Sequence, residues 1–291
     1  MSELCLGTAQ LGMKYGIKNA LNRKPTEEES FAILRKAQER GIHYLDTASA
    51  YGEAETLLGR FGIENEGFRV ISKLRPELEE GANASWVQQE IKASLQRLKV
   101  KRLYGYILHR VENLQQAPIM NGMMAAKKMG VVQKIGVSVY EPEDALNAAR
   151  DERIDIIQIP YNALDRRLDI IGFFSEASRN HKEVFARSPF LQGLLLMNLS
   201  DVRIKLPNAY SYVQKFQEIA VKYSFSPGEA AFLCSYCHPY IQYVLFGVDT
   251  IQQLNENLQI ITKAEHFHDC YFEIMSEFTN VPVEILNPSL W

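Results

Sequence analysis

Short apolar runs rich in β-formers alternate along this 291-residue chain with longer segments of helical period, and the alternation recurs about eight times. The strand-like runs fall at residues 4–6, 43–45, 69–73, 103–109, 134–138, 154–159, 183–186 and 243–246. After the first, Thr26 and Glu29 have the spacing of a capping box. They open a helix that carries Phe31, Ile33, Leu34 and Ala37 on one side and stops at Gly41. Further helices are expected at 54–61, 85–98, 117–129, 142–150, 169–179, 209–223, 228–237 and 251–261. In 85–98, Val87, Ile91, Leu95 and Leu98 recur at the interval of one buried face. Residues 188–206 and the tail from about 262 stand outside the rhythm.

Eight β/α units with no low-complexity linker predict an α/β protein of one domain over residues 1–291, a closed (β/α)8 TIM barrel followed by that tail. A doubly wound open sheet would want a G-x-G-x-x-G turn after an early strand, and none occurs.

Composition narrows the function classes. The chain is 46% hydrophobic and 23% charged with a formal net charge of -3, so no basic excess recruits a nucleic-acid backbone or an anionic membrane. No run of 18 apolar residues occurs, and no basic start precedes an apolar stretch. The expectation is a cytoplasmic protein with neither a nucleic-acid nor a membrane partner. Four cysteines, Cys5, Cys234, Cys237 and Cys270, are too sparse for a disulfide scaffold.

Three motifs are set aside. Gly7 to Gly12 has P-loop spacing, but Met13 stands where the phosphate-binding lysine belongs. Cys234, Cys237 and His238 match a haem-attachment pattern, yet both cysteines lie in an apolar helix and read as small buried hydrophobes. His266, His268 and Cys270 have no distant partner of ligand spacing and read as solvated surface, so no metal site is expected.

Polar residues recur at the strand ends. Asp46 ends the second strand, Lys73 the third, His109 the fourth and Ser138 the fifth, while Gln158 lies near the end of the sixth. Parallel barrel strands all end at one mouth, so these side chains converge there with Tyr51, in the loop after Asp46. A lysine placed there is partly desolvated and needs a carboxylate partner, which Asp46 can supply.

In this arrangement the chain resembles the aldo-keto reductases, NAD(P)H-dependent (β/α)8 barrels with an Asp, Tyr, Lys, His tetrad. The motifs that carry the resemblance are Leu6–Gly12, Gly41–Gly52, Ile71–Lys73, Tyr106–His109, Ile135–Ser138, Gln158–Tyr161, Ser188–Gly193, Phe246–Val248 and Glu256–Asn257, in the family's order. The resemblance implies reduction of an aldehyde or ketone to an alcohol, with a small-molecule carbonyl as partner. Tyr51 would be the general acid, assisted by a Lys73 cation that lowers its pKa; Asp46 would hold Lys73, and His109 would orient the carbonyl.

It also implies a cofactor site. Gly7, Thr8 and Ala9 belong to it, Ser138 and Gln158 take the nicotinamide carboxamide, and Ser188, Phe190, Gln192 and Gly193 lie along the pyrophosphate. Phe246, Gly247, Gln253 and Asn257 serve the adenine end. Val139 replaces a usual asparagine, and Arg187 stands where relatives stack an aromatic on the nicotinamide. Gly247 and Gln253 replace the basic residues that grip the 2′-phosphate of NADPH. NADPH is the family's usual cofactor, and Asp249, suited to a ribose hydroxyl, keeps NADH as the alternative.

Arg110, in the short loop after His109, is the candidate substrate-binding residue for a polar or anionic carbonyl such as a sugar or sugar nucleotide. Phe267, Tyr271 and Phe272 of the tail either wall the pocket or simply pack. The rival functions are an NAD(P)H-binding regulatory barrel and a barrel hydrolase or lyase using Asp46 and His109. The sequence does not specify an oligomeric state.

Overall fold

The computed structural model describes residues 1–15 and 21–291. Its strands are β1 (Glu3–Gly7), β2 (Tyr44–Asp46), β3 (Arg69–Leu74), β4 (Leu103–Leu108), β5 (Val132–Ser138), β6 (Ile156–Pro160), β7 (Glu183–Arg187) and β8 (Tyr243–Gly247). All pair in parallel and in sequence order, and β1 closes on β8, giving the expected (β/α)8 barrel. Each strand lies within three residues of its sequence-read position at either end.

Strand alternation fills the barrel and arms its mouth together. Cys5, Tyr44, Ile71, Ile107, Ile156, Phe185 and Tyr243 form a buried interior cluster. Successive side chains alternate faces, so a residue two positions further along points the same way. Two beyond Tyr44, Ile71, Ile107, Ile156 and Phe185 come Asp46, Lys73, His109, Gln158 and Arg187. An apolar plug therefore sits beneath a polar layer.

The outward faces pack under the helices in a shell that includes Leu6, Leu45, Val70, Leu108, Val137 and Ile157 against Ile33, Leu34, Leu58, Val87 and Ile91. Each such Leu, Ile or Val, fully buried, contributes about 1.5–3 kcal/mol. The helix Glu27–Glu39 opens on the expected box, with the Thr26 hydroxyl accepting from Glu29 N–H and the Glu29 carboxylate from Thr26 N–H. Ser226 and Glu229 form a second box, opening Pro227–Tyr236.

Three segments differ from the sequence reading. The single helix expected over 169–179 is two pieces, Arg167–Ile170 and Phe173–Arg179, broken by Gly172 at φ 76°. The segment 188–206, read as irregular, holds a 3-10 stretch at Leu191–Leu196 and a helix at Leu199–Lys205. The tail contains a helix at His268–Glu277; its Cys270 and Ile274, with Phe267 just before it, join Phe216, Ala230, Leu233 and Cys234 in a second core beside the barrel. Cys270 is thus buried, against the surface reading of its motif, while His268 is exposed beside Asp269. Periodicity failed in the last two segments because their apolar side chains are buried largely in this second core, not on the sheet of the barrel.

His238 is also buried; its ring meets the Asp169 carboxylate at 3.1 Å, tying the end of the helix Pro227–Tyr236 to the short helix Arg167–Ile170. Among the described residues no helix is long and apolar enough to cross a membrane.

Candidate active site

At the C-terminal ends of the strands lies a cavity of about 750 Å³. Its lining includes every sequence-derived site residue except Lys73, which lies beneath it, and Arg110. Arg110 is exposed, with Glu77 3.9 Å away.

The floor is built around Asp46. Its Oδ2 accepts from Lys73 Nζ at 2.5 Å and its Oδ1 from Gln158 Nε2 at 2.7 Å, while Lys73 also donates to the Thr47 carbonyl at 2.9 Å. Thr8 donates to the Asp46 carbonyl through its N–H at 2.9 Å and its hydroxyl at 3.0 Å, fixing the end of β2 to the loop after β1. Desolvation works against the Lys73 charge, but Asp46 and Tyr51 outweigh it and hold its pKa above the ordinary lysine value. This direction keeps the lysine cationic at neutral pH.

Tyr51 and His109 stand over this pair. Lys73 Nζ lies 4.9 Å from the centroid of the Tyr51 ring, and the Tyr51 and His109 rings meet edge-on at 6.1 Å between centroids. Burial raises the Tyr51 pKa, Lys73 opposes that rise, and the net shift is upward. Lys73 thus lowers the Tyr51 pKa in the expected direction, but burial outweighs it and the phenol is held protonated. Burial, assisted by Lys73, Arg187 and Arg110, lowers His109 to about 4. Its Nδ1 is buried without a partner. The neutral tautomer that leaves no buried donor unpaired carries its proton on Nε2.

Two glycines fix the loop that presents Tyr51. A Cβ on Gly12 would fall 1.9 Å from the Tyr51 carbonyl oxygen and 2.6 Å from Ala54 N. On the facing side Gly52, at φ 55°, is left-handed and meets the Gly12 carbonyl. The helical turn Ala9–Gly12 thus lies backbone to backbone against the Tyr51 loop. In the sequence Gly12 closed both the Leu6–Gly12 motif and a failed P-loop match, and nothing local marked this contact.

The loop after β7 forms another wall. Ser188, Leu191, Gln192 and Gly193 have φ of 65°, 47°, 50° and 96°. Left-handed residues beside right-handed ones are the backbone pattern of an anion-binding nest, although here Leu191 N–H donates to the Ser188 carbonyl and Gly193 N–H to the Phe190 carbonyl, each at 2.9 Å. Gln158, assigned from sequence to a carboxamide, is already engaged with Asp46. Arg187 donates to the Val139 carbonyl at 3.2 Å and lies 4.2 Å over the Tyr140 ring. At the far end, Gly247 abuts the Gln10 amide, and the lining there carries the carboxylates Asp249 and Glu256.

A family model described as the aldo/keto reductase family matches residues 3–275. An uncharacterized oxidoreductase of Bacillus subtilis (strain 168), YqkF, is 24% identical over 89% of this chain and 90% of its own length. The L-glyceraldehyde 3-phosphate reductase of Escherichia coli (strain K12) is 28% identical over 67% of this chain and 61% of its own. Among solved structures, the holo form of an aldo-keto reductase from Bacillus halodurans superposes with a TM-score of 0.71 at 22% identity. It covers 92% of this chain and 91% of that one.

Proposed function

The chain belongs to the aldo/keto reductase family and is an oxidoreductase of the kind that works with a nicotinamide cofactor, and from that premise we propose that it reduces a small-molecule carbonyl to an alcohol with Tyr51 as the proton donor. The observation that carries the reading is the sealed Lys73–Asp46 pair directly beneath Tyr51 and beside His109. A bound nicotinamide supplies the hydride.

The chain's own residues supply the rest. Tyr51 is protonated at neutral pH and gives its proton to the oxygen as negative charge develops there. Lys73 stabilises the phenolate left behind, at a point where the low dielectric strengthens its effect. Asp46, held in turn by Gln158 and by the backbone contacts of Thr8, keeps Lys73 in place. His109, neutral, offers Nε2–H to the carbonyl oxygen and so orients it without competing as an acid.

Residues fitting the cofactor are those of the long cavity. Gly7, Thr8 and Ala9 line one side, Ser138 and Gln158 the nicotinamide end, and Ser188 to Gly193 the pyrophosphate wall. Phe246, Gly247, Gln253 and Asn257 line the adenosine end. That end offers the carboxylates Asp249 and Glu256 and, among its described lining residues, no lysine or arginine. This balance favours a ribose hydroxyl over a 2′-phosphate, hence NADH over NADPH.

The test is Tyr51→Phe. Removing a positioned general acid is expected to lower kcat by roughly 10²–10⁴-fold with nicotinamide affinity retained. Equal turnover by the variant and the wild type across a panel of aldehydes and ketones excludes the proposal.

A further inference from the structure

Beside the main cavity opens a smaller one of about 190 Å³, and the two share Tyr15, Tyr140, Arg187, Ser188 and Gln192 as common walls. Its outer side is the end of the chain, Leu286 to Pro288, and its lining also includes Asn162 and Arg167. The tail thus helps shape the site through its last turn; of the aromatics first suspected, Phe267 is buried in the second core and Phe272 is exposed.

The two arginines of this side cavity differ in charge balance. Arg167 is neutralised by a two-pronged pair with Asp165, at 2.9 and 2.8 Å, and faces Glu141 at 3.5 Å. Arg187, half-buried, forms no ion pair with any described carboxylate. Among the described residues it donates once, to the Val139 carbonyl, and it lies against the Tyr140 ring. A guanidinium has five N–H donors in a planar fork that matches carboxylate and phosphate oxygens. A partly desolvated cation with most of its donors unspent is costly unless something brings it an anion.

Arg187 also stands close to the reacting centre. It ends β7, two residues beyond Phe185 of the barrel interior, and its charge is near enough to oppose protonation of His109. Stacking on the nicotinamide, the role its sequence position suggested, suits it poorly. Tyr140 already covers one face of the guanidinium, and the nicotinamide ring becomes a cation when it gives up hydride.

We infer that Arg187 is a specificity-determining residue that binds a carboxylate or phosphate carried close to the reacting carbonyl, with the side cavity receiving that anionic end of the substrate. The inference rests on the carbonyl-reductase reading above and names its substrate class.

Two matched pairs test it. Succinic semialdehyde is compared with butanal for a carboxylate, and glyceraldehyde 3-phosphate with glyceraldehyde for a phosphate. The wild type is expected to prefer the anionic member of at least one pair by about tenfold or more in kcat/KM, the scale of one charge-assisted hydrogen-bond set. Whichever pair shows the preference identifies the anion. In Arg187→Gln that ratio is expected to collapse toward one, chiefly through KM, and Arg187→Lys is expected to restore part of it.

A second readout does not depend on turnover. Calorimetric titration of the nicotinamide-loaded protein with succinate and with glycerol 3-phosphate is expected to show binding of one of them, weakened about tenfold or more by Arg187→Gln. Absence of binding by both anions, or a wild type that reduces neutral and anionic members equally, overturns the inference and leaves the carbonyl-reductase reading standing. A change in Arg187→Gln confined to nicotinamide affinity, with the substrate ratio intact, overturns it too and returns the residue to the cofactor. If no carbonyl of any kind is reduced while the anions bind through Arg187, the reductase reading fails and the anion site is kept.

Discussion

Nζ of Lys73 lies 2.5 Å from Oδ2 of Asp46, with the two side chains 1% and 3% exposed. A buried pair of this kind is not by itself a source of stability, because desolvating both ions offsets much of their attraction. Breaking it from one side is different, since it strands the other charge. Lys73→Met and Asp46→Asn are each expected to destabilise the fold by about 3–5 kcal/mol. The double variant is expected to lose less than the sum of the two, in urea unfolding followed by circular dichroism. Strict additivity would mean the pair is not coupled.

Gly12→Ala reaches the active site through the backbone. The new methyl group has no room against the Tyr51 carbonyl and Ala54 N, so the Tyr51 loop must shift. Overpacking of this sort costs about 1–3 kcal/mol. A displacement on the order of an ångström at a reacting group lowers kcat by up to about 10²-fold. Steady-state kinetics beside a thermal melt checks this, and unchanged kcat at reduced stability would show that the loop absorbs the strain elsewhere.

The cavity end proposed for the adenosine predicts cofactor choice. Fluorescence titration is expected to give NADH a dissociation constant roughly tenfold below that of NADPH, about 1.4 kcal/mol. Glu256 is exposed and lines this end, so Glu256→Lys is expected to narrow the gap by strengthening NADPH alone. Tighter binding of NADPH by the wild type would refute the reading of Asp249 and Glu256.

The pH profile has two limbs. His109 is held at about 4, below the ordinary 6.5, so between those values the unfolded chain binds a proton that the folded one refuses. Its contribution to stability is whole above 6.5 and is lost as pH falls toward 4. His109→Asn is expected to flatten that part of the stability profile, read from urea midpoints at pH 4.5 and 7. At the other end, the Tyr51 pKa lies above the ordinary 10, so carbonyl reduction is expected to hold its rate up to that region. A fall in kcat/KM beginning near pH 8 would place the proton elsewhere.

The barrel and the greater part of its mouth were legible in the sequence because both follow from short-range periodicity. Alternation within each strand decides which residue faces inward, and eight strands read in register set Asp46, Lys73, His109, Ser138 and Gln158 at one end of the fold. What periodicity does not encode is contact between segments far apart in the chain. Gly12 and Gly52 meet across 40 residues of sequence, Leu286 to Pro288 return to the mouth from the last turn of the chain, and Gln158 reaches Asp46 from four strands away. Charge balance is likewise a property of the assembled site. By sequence Arg110, in the loop after His109, was the candidate substrate cation, and Arg187 stood at the position that stacks on the nicotinamide. Closing the barrel left Arg110 in solvent and held Arg187 half-buried against Tyr140, without an ion pair to any described carboxylate. A side chain's type is written in the sequence, but the dielectric around it and the partners it finds exist only once the strands have closed.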